Sequence, residues 1–273
     1  MKDKPEVRIL VFGAHPDDCE LQAGGFGIKH VQLGNIVKFV SLTNGDAGHY
    51  RIGGAPLARR RYKEAQKAAR IAGIEYKIYD IYDGQLLPTL ENRLKIVEEI
   101  REFQADLVLT HRPNDYHPDH RYTSQLVQDA AYTVTVPNVC PLTPHLMQNP
   151  VMAYVADDFQ KPYPFSPDIV ISIDDVVDKK LDMLDCHESQ FYEWLPYNEN
   201  ILEQVPKAPE ERKRWLGERM KIRFRKIADK YRDLLKKRYG DKAGSKVLYA
   251  EAFEICEYGS ELTEEKRKGL FPF

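Results

Sequence analysis

The sequence predicts an α/β protein with a Rossmann-like, mostly parallel sheet and helices on both faces. Two observations carry this reading. Short apolar runs rich in β-branched residues alternate with longer segments of helical spacing, the pattern of parallel strands joined by crossover helices. The apolar runs also end repeatedly in polar loops holding Gly, Pro, Asp or His, as in Gly13-Ala14-His15-Pro16-Asp17-Asp18 and Thr110-His111-Arg112-Pro113-Asn114-Asp115. The chain has 273 residues and no evident linker or repeat. Residues 1–273 are therefore expected to form one domain around one substantial core, with a helical basic extension around 207–239.

The elements follow in order. Val7 to Gly13 is a buried strand, and Pro16 restricts His15 to extended geometry, so the chain turns after it. Gly24 to Gln32 reads as a helix start. Its glycines lack the G-x-G-x-x-G spacing of a dinucleotide site and instead suit close packing of helix on strand. Asn35 to Thr43 is a strand ending in the Gly-rich loop Asn44 to Tyr50. In that loop Asp46 and His49 are either substrate contacts or turn and surface residues. Leu57 to Ile71 is an amphipathic helix, Tyr76 to Ile81 a strand, and Glu91 to Phe103 a helix. Ala105 to Thr110 is another strand, and Pro118 fits the first turn of the helix that continues through Tyr122 to Val136. The Pro-rich stretch Pro137 to Pro144 is a candidate wall of the site. Val151 to Val155 and Asp168 to Ile173 are late strands, and Asp174 opens a helix to about His187. Lys207 to Tyr239 is a long basic helix, and Ala250 to Ile255 returns as a strand.

The chemistry concentrates after two of these strands. His15, Asp17 and Asp18 share one tight turn, where neighbouring carboxylates repel unless a cation lies beside them. A divalent metal is the simplest such cation. His15 and Asp18 can both face it, while Asp17 faces whatever it holds. A catalytic zinc takes three protein ligands and keeps one position open. The third ligand is expected from His117-Pro118-Asp119-His120, at the same topological position about a hundred residues on. Each residue alone has an ordinary explanation: Asp17 or Asp18 could cap a helix, His117 or Asp119 could begin one, and Cys19 suits packing. Together they would be five coincidences at one sheet edge.

These two motifs, in this order and spacing, resemble the LmbE / PIG-L family of zinc-dependent N-deacetylases over roughly the first half of the chain, and weakly to its end. The resemblance implies a zinc or other divalent ion, one per chain, on His15, Asp18 and His120. It implies Asp17 as general base, His117 as oxyanion stabiliser, and Asp119 as the group fixing the protonation or tautomer of His117. Arg61, in an Arg-x-x-Glu pattern with Glu64, and Asp83 are implied as substrate contacts. A solvated Arg61–Glu64 pair and an Asp-Gly turn are the ordinary readings of the same residues. His187-Glu188-Ser189-Gln190 resembles a further family segment, with His187 outside the metal set. The implied substrate is an N-acetylated amino sugar of the N-acetylglucosamine type. The alternative is another acyl amide or glycoconjugate. Family members are commonly oligomeric, so a homo-oligomer is compatible.

Composition narrows the partners. Net charge is −2 with 30% charged residues, so no global field favours nucleic acid. The aromatic residues between 207 and 239 sit among acidic as well as basic ones, which suits a solvated face or a subunit contact. No apolar run reaches the roughly 20 residues of a membrane span. Met1 to Pro5 leads straight to the first strand without a signal-peptide core. Four scattered cysteines fit a reducing compartment, most simply the cytoplasm.

Overall fold

The computed structural model describes residues 6–273; the N-terminal expectation for Met1 to Pro5 lies outside them. The elements are β1 (Arg8–Gly13), α1 (Asp18–Gln32), β2 (Ile36–Ser41), α2 (Gly54–Ala72), β3 (Glu75–Ile78), α3 (Leu90–Phe103), β4 (Leu107–Thr110), α4 (Pro118–Thr133), β5 (Val151–Val155), β6 (Ile169–Ser172) and α5 (Val177–Asp185). A π-helical turn (Ser189–Trp194) and α6 (Leu195–Asn198) follow, then α7 (Pro209–Lys230), α8 (Arg232–Tyr239) and β7 (Ala250–Cys256). The sheet order is β3-β2-β1-β4-β5-β7-β6. It is parallel except at β7, which runs antiparallel to both β5 and β6.

Alternation along β1 shows why both faces are covered. Ile9 and Val11 pack with Phe26 and Ile28 of α1 and the alanine stripe Ala65, Ala68, Ala69 and Ala72 of α2. Leu10 and Phe12 pack on the other face with Ile96, Val97 and Ile100 of α3 and Leu126 and Val127 of α4. The chain moves outward from β1 through β2 to β3, then returns to place β4 on the other side of β1. Such a reversal opens a crevice at the carboxyl ends of the two central strands, where ligands bind in open α/β sheets. Ile9 is in register with Leu107 and Val11 with Leu109, so the loops after Gly13 and Thr110 emerge side by side.

Several boundaries differ from the sequence reading. Helix α1 begins at Asp18, inside the motif, so Gly24 and Gly25 lie mid-helix. They are there because a buried ion pair reaches the helix backbone. The carboxylate of Glu251 on β7 accepts the Gly25 and Phe26 N–H groups at 2.8 and 2.7 Å, and Lys180 of α5 binds both Glu251 and the Leu21 carbonyl. A Cβ on Gly25 would lie 2.6 Å from Ile173 Cγ2. The basic segment is two helices broken at Tyr231, not one. Many of its cations are matched by carboxylates, as in Lys213–Asp182, Lys221–Asp178 and Lys226–Asp158. The Pro-rich loop is not a wall of the crevice. Arg101, near the C-terminus of α3, binds the carbonyls of Thr133, Val134, Val136 and Thr143. Because α3 runs back to the start of β4, this anchors the loop at the opposite edge of the sheet. No helix among the described residues is long and apolar enough to cross a membrane.

Removing one partner of the buried pair strands the other as a charge in the interior, at about 3–5 kcal/mol. Glu251→Ala is expected to lower unfolding free energy by about that amount, seen as a drop in urea midpoint, and Lys180→Met/Glu251→Met to regain most of it.

Candidate active site

The turn after β1 is closed from both directions. The Asp18 N–H donates to the His15 carbonyl at 3.2 Å, and Asp18 Oδ2 accepts the Ala14 and His15 N–H groups at 3.0 and 2.8 Å. Asp18 folds back onto the strand end only because residue 13 is glycine; a Cβ there would lie 2.8 Å from Asp18 Cβ. Ser41 and Thr43, at the end of β2, fix the turn by donating their hydroxyls to the Ala14 carbonyl.

Asp17 pays for the tightness of this turn with φ of 138°, a region non-glycine residues rarely adopt. It makes no side-chain cap to α1, contrary to the ordinary reading of the motif. Instead Arg61 of α2, only 2% exposed, donates to the Pro16 carbonyl at 2.8 Å and to Asp17 Oδ1 at 3.1 Å, and to the Gly45 carbonyl at 3.2 Å. Burial pushes the Asp17 carboxyl up to about 6 despite the lowering pull of Arg61. The solvated Arg61–Glu64 pair is not found. Glu64 takes Arg60 and the N–H and hydroxyl of Ser189, within the His187–Gln190 segment.

The second loop meets the first as its spacing suggested. His120 Nε2 stands 3.3 Å from His15 Nδ1, and Asp18 Oδ2 lies 3.5 Å from each. A tetrahedral ion with ligand bonds of about 2.0–2.1 Å has ligand–ligand edges of about 3.3–3.4 Å, so this triangle fits one face of such a coordination shell. The outer nitrogens face carboxylates. His15 Nε2 is 3.1 Å from Asp83 Oδ1 and 3.3 Å from Asp119 Oδ2, and His120 Nδ1 is 3.1 Å from Asp115 Oδ1. None of these approaches is aligned as a hydrogen bond, so the carboxylates act on the rings chiefly through charge. Carboxylate support behind a metal-facing imidazole is the usual way ligand orientation is fixed. Burial alone would lower the His15 pKa, but Asp119, Asp18 and Asp83 outweigh it and raise it well above the ordinary value. Burial would raise Asp18, but His120, His111 and His15 hold it well below the usual carboxylate range.

His117 sits at the N-cap of α4, where its Nδ1 accepts the Asp119 backbone N–H at 3.2 Å. Asp119 does hold this ring in one tautomer, through its main chain, while its carboxylate serves Gly84 N–H at 2.7 Å and His15. Burial and the nearby His15 and His120 lower the His117 pKa. The imidazolium alternative is therefore disfavoured, and the neutral ring carries its proton on Nε2. Asp83 Oδ2 lies 3.9 Å from Arg61 Nη1. Asp46 does not face the cluster but accepts the Asp83 N–H at 2.9 Å, and His49 pairs with Glu193. Cys19 is buried against the carbonyls of Val11 and Val40.

Two site residues were not singled out from the sequence. His111 stacks on His120, with centroids 4.1 Å apart and planes at 9°, and Asp115 backs His120. Both lie in the strand-to-helix loop that carried the second motif, and that position was the only signal for them.

Fold and site define an α/β enzyme with a His–Asp–His cradle at the switch point of its sheet. The comparisons agree with that class. A family model described as PIG-L: GlcNAc-PI de-N-acetylase matches residues 10–131. The chain is 34% identical over 212 residues to diacetylchitobiose deacetylase of Thermococcus kodakarensis, covering 71% of this chain and 76% of that protein. It is also 27% identical over 212 residues to 4-oxalmesaconate hydratase of Pseudomonas putida, covering 75% and 82% respectively. The solved structure of N,N'-diacetylchitobiose deacetylase from Pyrococcus horikoshii, in complex with its inhibitor, superposes with a TM-score of 0.68 at 26% identity, covering 92% of this chain and 84% of that one. The chain belongs to the PIG-L (LmbE) family of deacetylases.

Loss of a carboxylate behind a metal-facing histidine typically costs 10–100-fold in metal affinity. Asp115→Asn is expected to weaken divalent-metal binding by about that factor in competition with a chromogenic chelator, with far-UV circular dichroism unchanged.

Proposed function

We propose that this chain is a zinc-dependent N-deacetylase that removes acetyl from an N-acetylglucosamine-type sugar or glycoconjugate. The observation that carries the reading is the triangle of His15 Nδ1, Asp18 Oδ2 and His120 Nε2, at 3.3–3.5 Å, with Asp17 in the same turn. A borderline-soft ion suits two imidazoles and one carboxylate. A divalent ion held there would lower the pKa of its water to near 7 and polarise the acetyl carbonyl.

The chain's own residues supply the proton chemistry. Asp17, held unprotonated at neutral pH and fixed by Arg61, accepts the proton of the attacking water. It then delivers that proton to the departing nitrogen as the amide C–N bond breaks, giving acetate and a free amine. His117, with Nδ1 occupied by the Asp119 N–H, donates from Nε2 to the carbonyl oxygen as negative charge builds there. Asp83 and Asp119 support His15 through their charge. The relatives named as deacetylases of acetylated chitobiose support this substrate class. The hydratase relative favours a second reading, water addition to a carbon–carbon double bond on the same scaffold.

The deciding experiment is release of free amine from a panel of N-acetylated sugars, with and without chelator. Zinc-loaded protein should release amine, chelation should abolish it, and added zinc should restore it; a panel without any release would overturn the N-acetylated-sugar reading and leave another acyl amide or the hydratase reaction. In the same assay Asp17→Asn should retain its metal and lose about 10²–10⁴-fold in turnover.

Because Asp17 acts only when unprotonated, kcat/KM should decline as pH falls through its titration, at about 6 or lower once a cation sits beside it. Arg61→Met removes the cation that lowers Asp17, so the acid limb of the pH profile should move upward.

A further inference from the structure

The π-helical turn Ser189–Trp194 brings one aromatic residue to the site. This is Trp194, which neither motif announced. Gln190 donates to the Gly48 carbonyl at 3.0 Å, and Glu193 holds His49 at 2.8 Å and Arg60. The turn is thus clamped onto the Gly-rich loop between β2 and α2. Trp194 lies near-parallel to Tyr197, with centroids 6.0 Å apart and planes at 17°. Tyr197 in turn stacks on Tyr50 at 4.3 Å and 7°, so the indole plane is fixed by a ladder of rings. Gly48 lets the backbone pass close to these side chains. A Cβ there would lie 2.9 Å from Arg61 Nη1, 3.2 Å from Asp83 Oδ2 and 3.8 Å from Trp194 Nε1. The indole N–H meets no acceptor among the described residues. Asp83 spends Oδ1 on His15, at 3.1 Å, leaving Oδ2 toward Gly48.

An N–H donor and a carboxylate oxygen on either side of Gly48, with the Arg61 guanidinium between them, match the hydroxyls of a pyranose edge. Resting on the deacetylase reading above, we propose that Trp194 is a specificity-determining residue whose indole N–H donates to a sugar hydroxyl beside Gly48. There it joins Asp83, the substrate contact that the family resemblance already implies, whose Oδ2 faces the same place. The subsite selects hydroxylated rings over other acetamides, because an analogue lacking the hydroxyls leaves both groups unpaired.

Trp194→Phe keeps the ring and removes the donor. In the zinc-loaded full chain it should raise KM for N-acetylglucosamine about 3–10-fold, the effect of one uncharged hydrogen bond, with kcat and metal content within twofold of wild type. For N-cyclohexylacetamide, an acetamide with no hydroxyls, kcat/KM should not change. The sequence has two tryptophans, so in Trp215→Phe the emission of Trp194 is read alone. Glucosamine should shift that emission saturably, and Gly48→Ala should weaken the binding. An unchanged KM in Trp194→Phe, or flat emission at all glucosamine concentrations, overturns the proposal. A saturable shift in a chain that releases no amine would sink the deacetylase reading and leave the sugar subsite standing.

Discussion

The site depends on one electrostatic constraint: carboxylates and imidazoles crowd the gap between the ends of β1 and β4. Asp18, Asp83, Asp115 and Asp119 all stand within 3.5 Å of a ring nitrogen of His15 or His120. Desolvated carboxylates in such numbers repel one another, and shared protons on the rings offset only part of that. A divalent cation on the inward nitrogens, as proposed above, would relieve that repulsion, with the outer carboxylates as its support. The sheet makes this crowding affordable in geometry, since β1 and β4 are central strands with helices packed on both sides.

Strain is distributed in the same way. A residue held at φ of 138° costs on the order of 1–3 kcal/mol and persists only when its surroundings over-determine it. Arg61 does so by gripping both the Pro16 carbonyl and the Asp17 carboxylate from a buried position on α2. The segment His187 to Gln190 then ties together the three elements around the turn. His187 binds Glu20 of α1 at 2.7 Å, Ser189 binds Glu64 of α2, and Gln190 binds the loop at Gly48. His187, at the end of a helix and outside the metal set, is thereby part of the frame around the turn that carries Asp17. The π-helical turn that continues it brings Trp194 beside Gly48, which couples the rigidity of the centre to the placement of the indole.

The alternation of strands and helices was legible from local periodicity, and so were the two loops, because strand ends and turn residues leave short-range signals. The start of α1 is not legible, because Asp18 is both a ligand-type carboxylate and the first helical residue. The place of the Pro-rich loop is not legible either, since composition marks a loop but not the end of the sheet to which Arg101 ties it. That Asp119 fixes His117 was legible, but not that its N–H does so while its carboxylate turns to His15.

The sequence by itself determined the residue types and order of the two motifs, because a turn that presents His15 and Asp18 together is a local matter of Gly13, Pro16 and hydrogen bonds within four residues. Only the tertiary structure decided which distant groups surround them. The neighbours of β1, the burial of Arg61 and the arrival of Trp194 depend on strand order and helix packing across separations of about 40 to 180 residues. No local spacing encodes which of many equally apolar surfaces will meet, and so the partners of a polar group become known only when the core has formed.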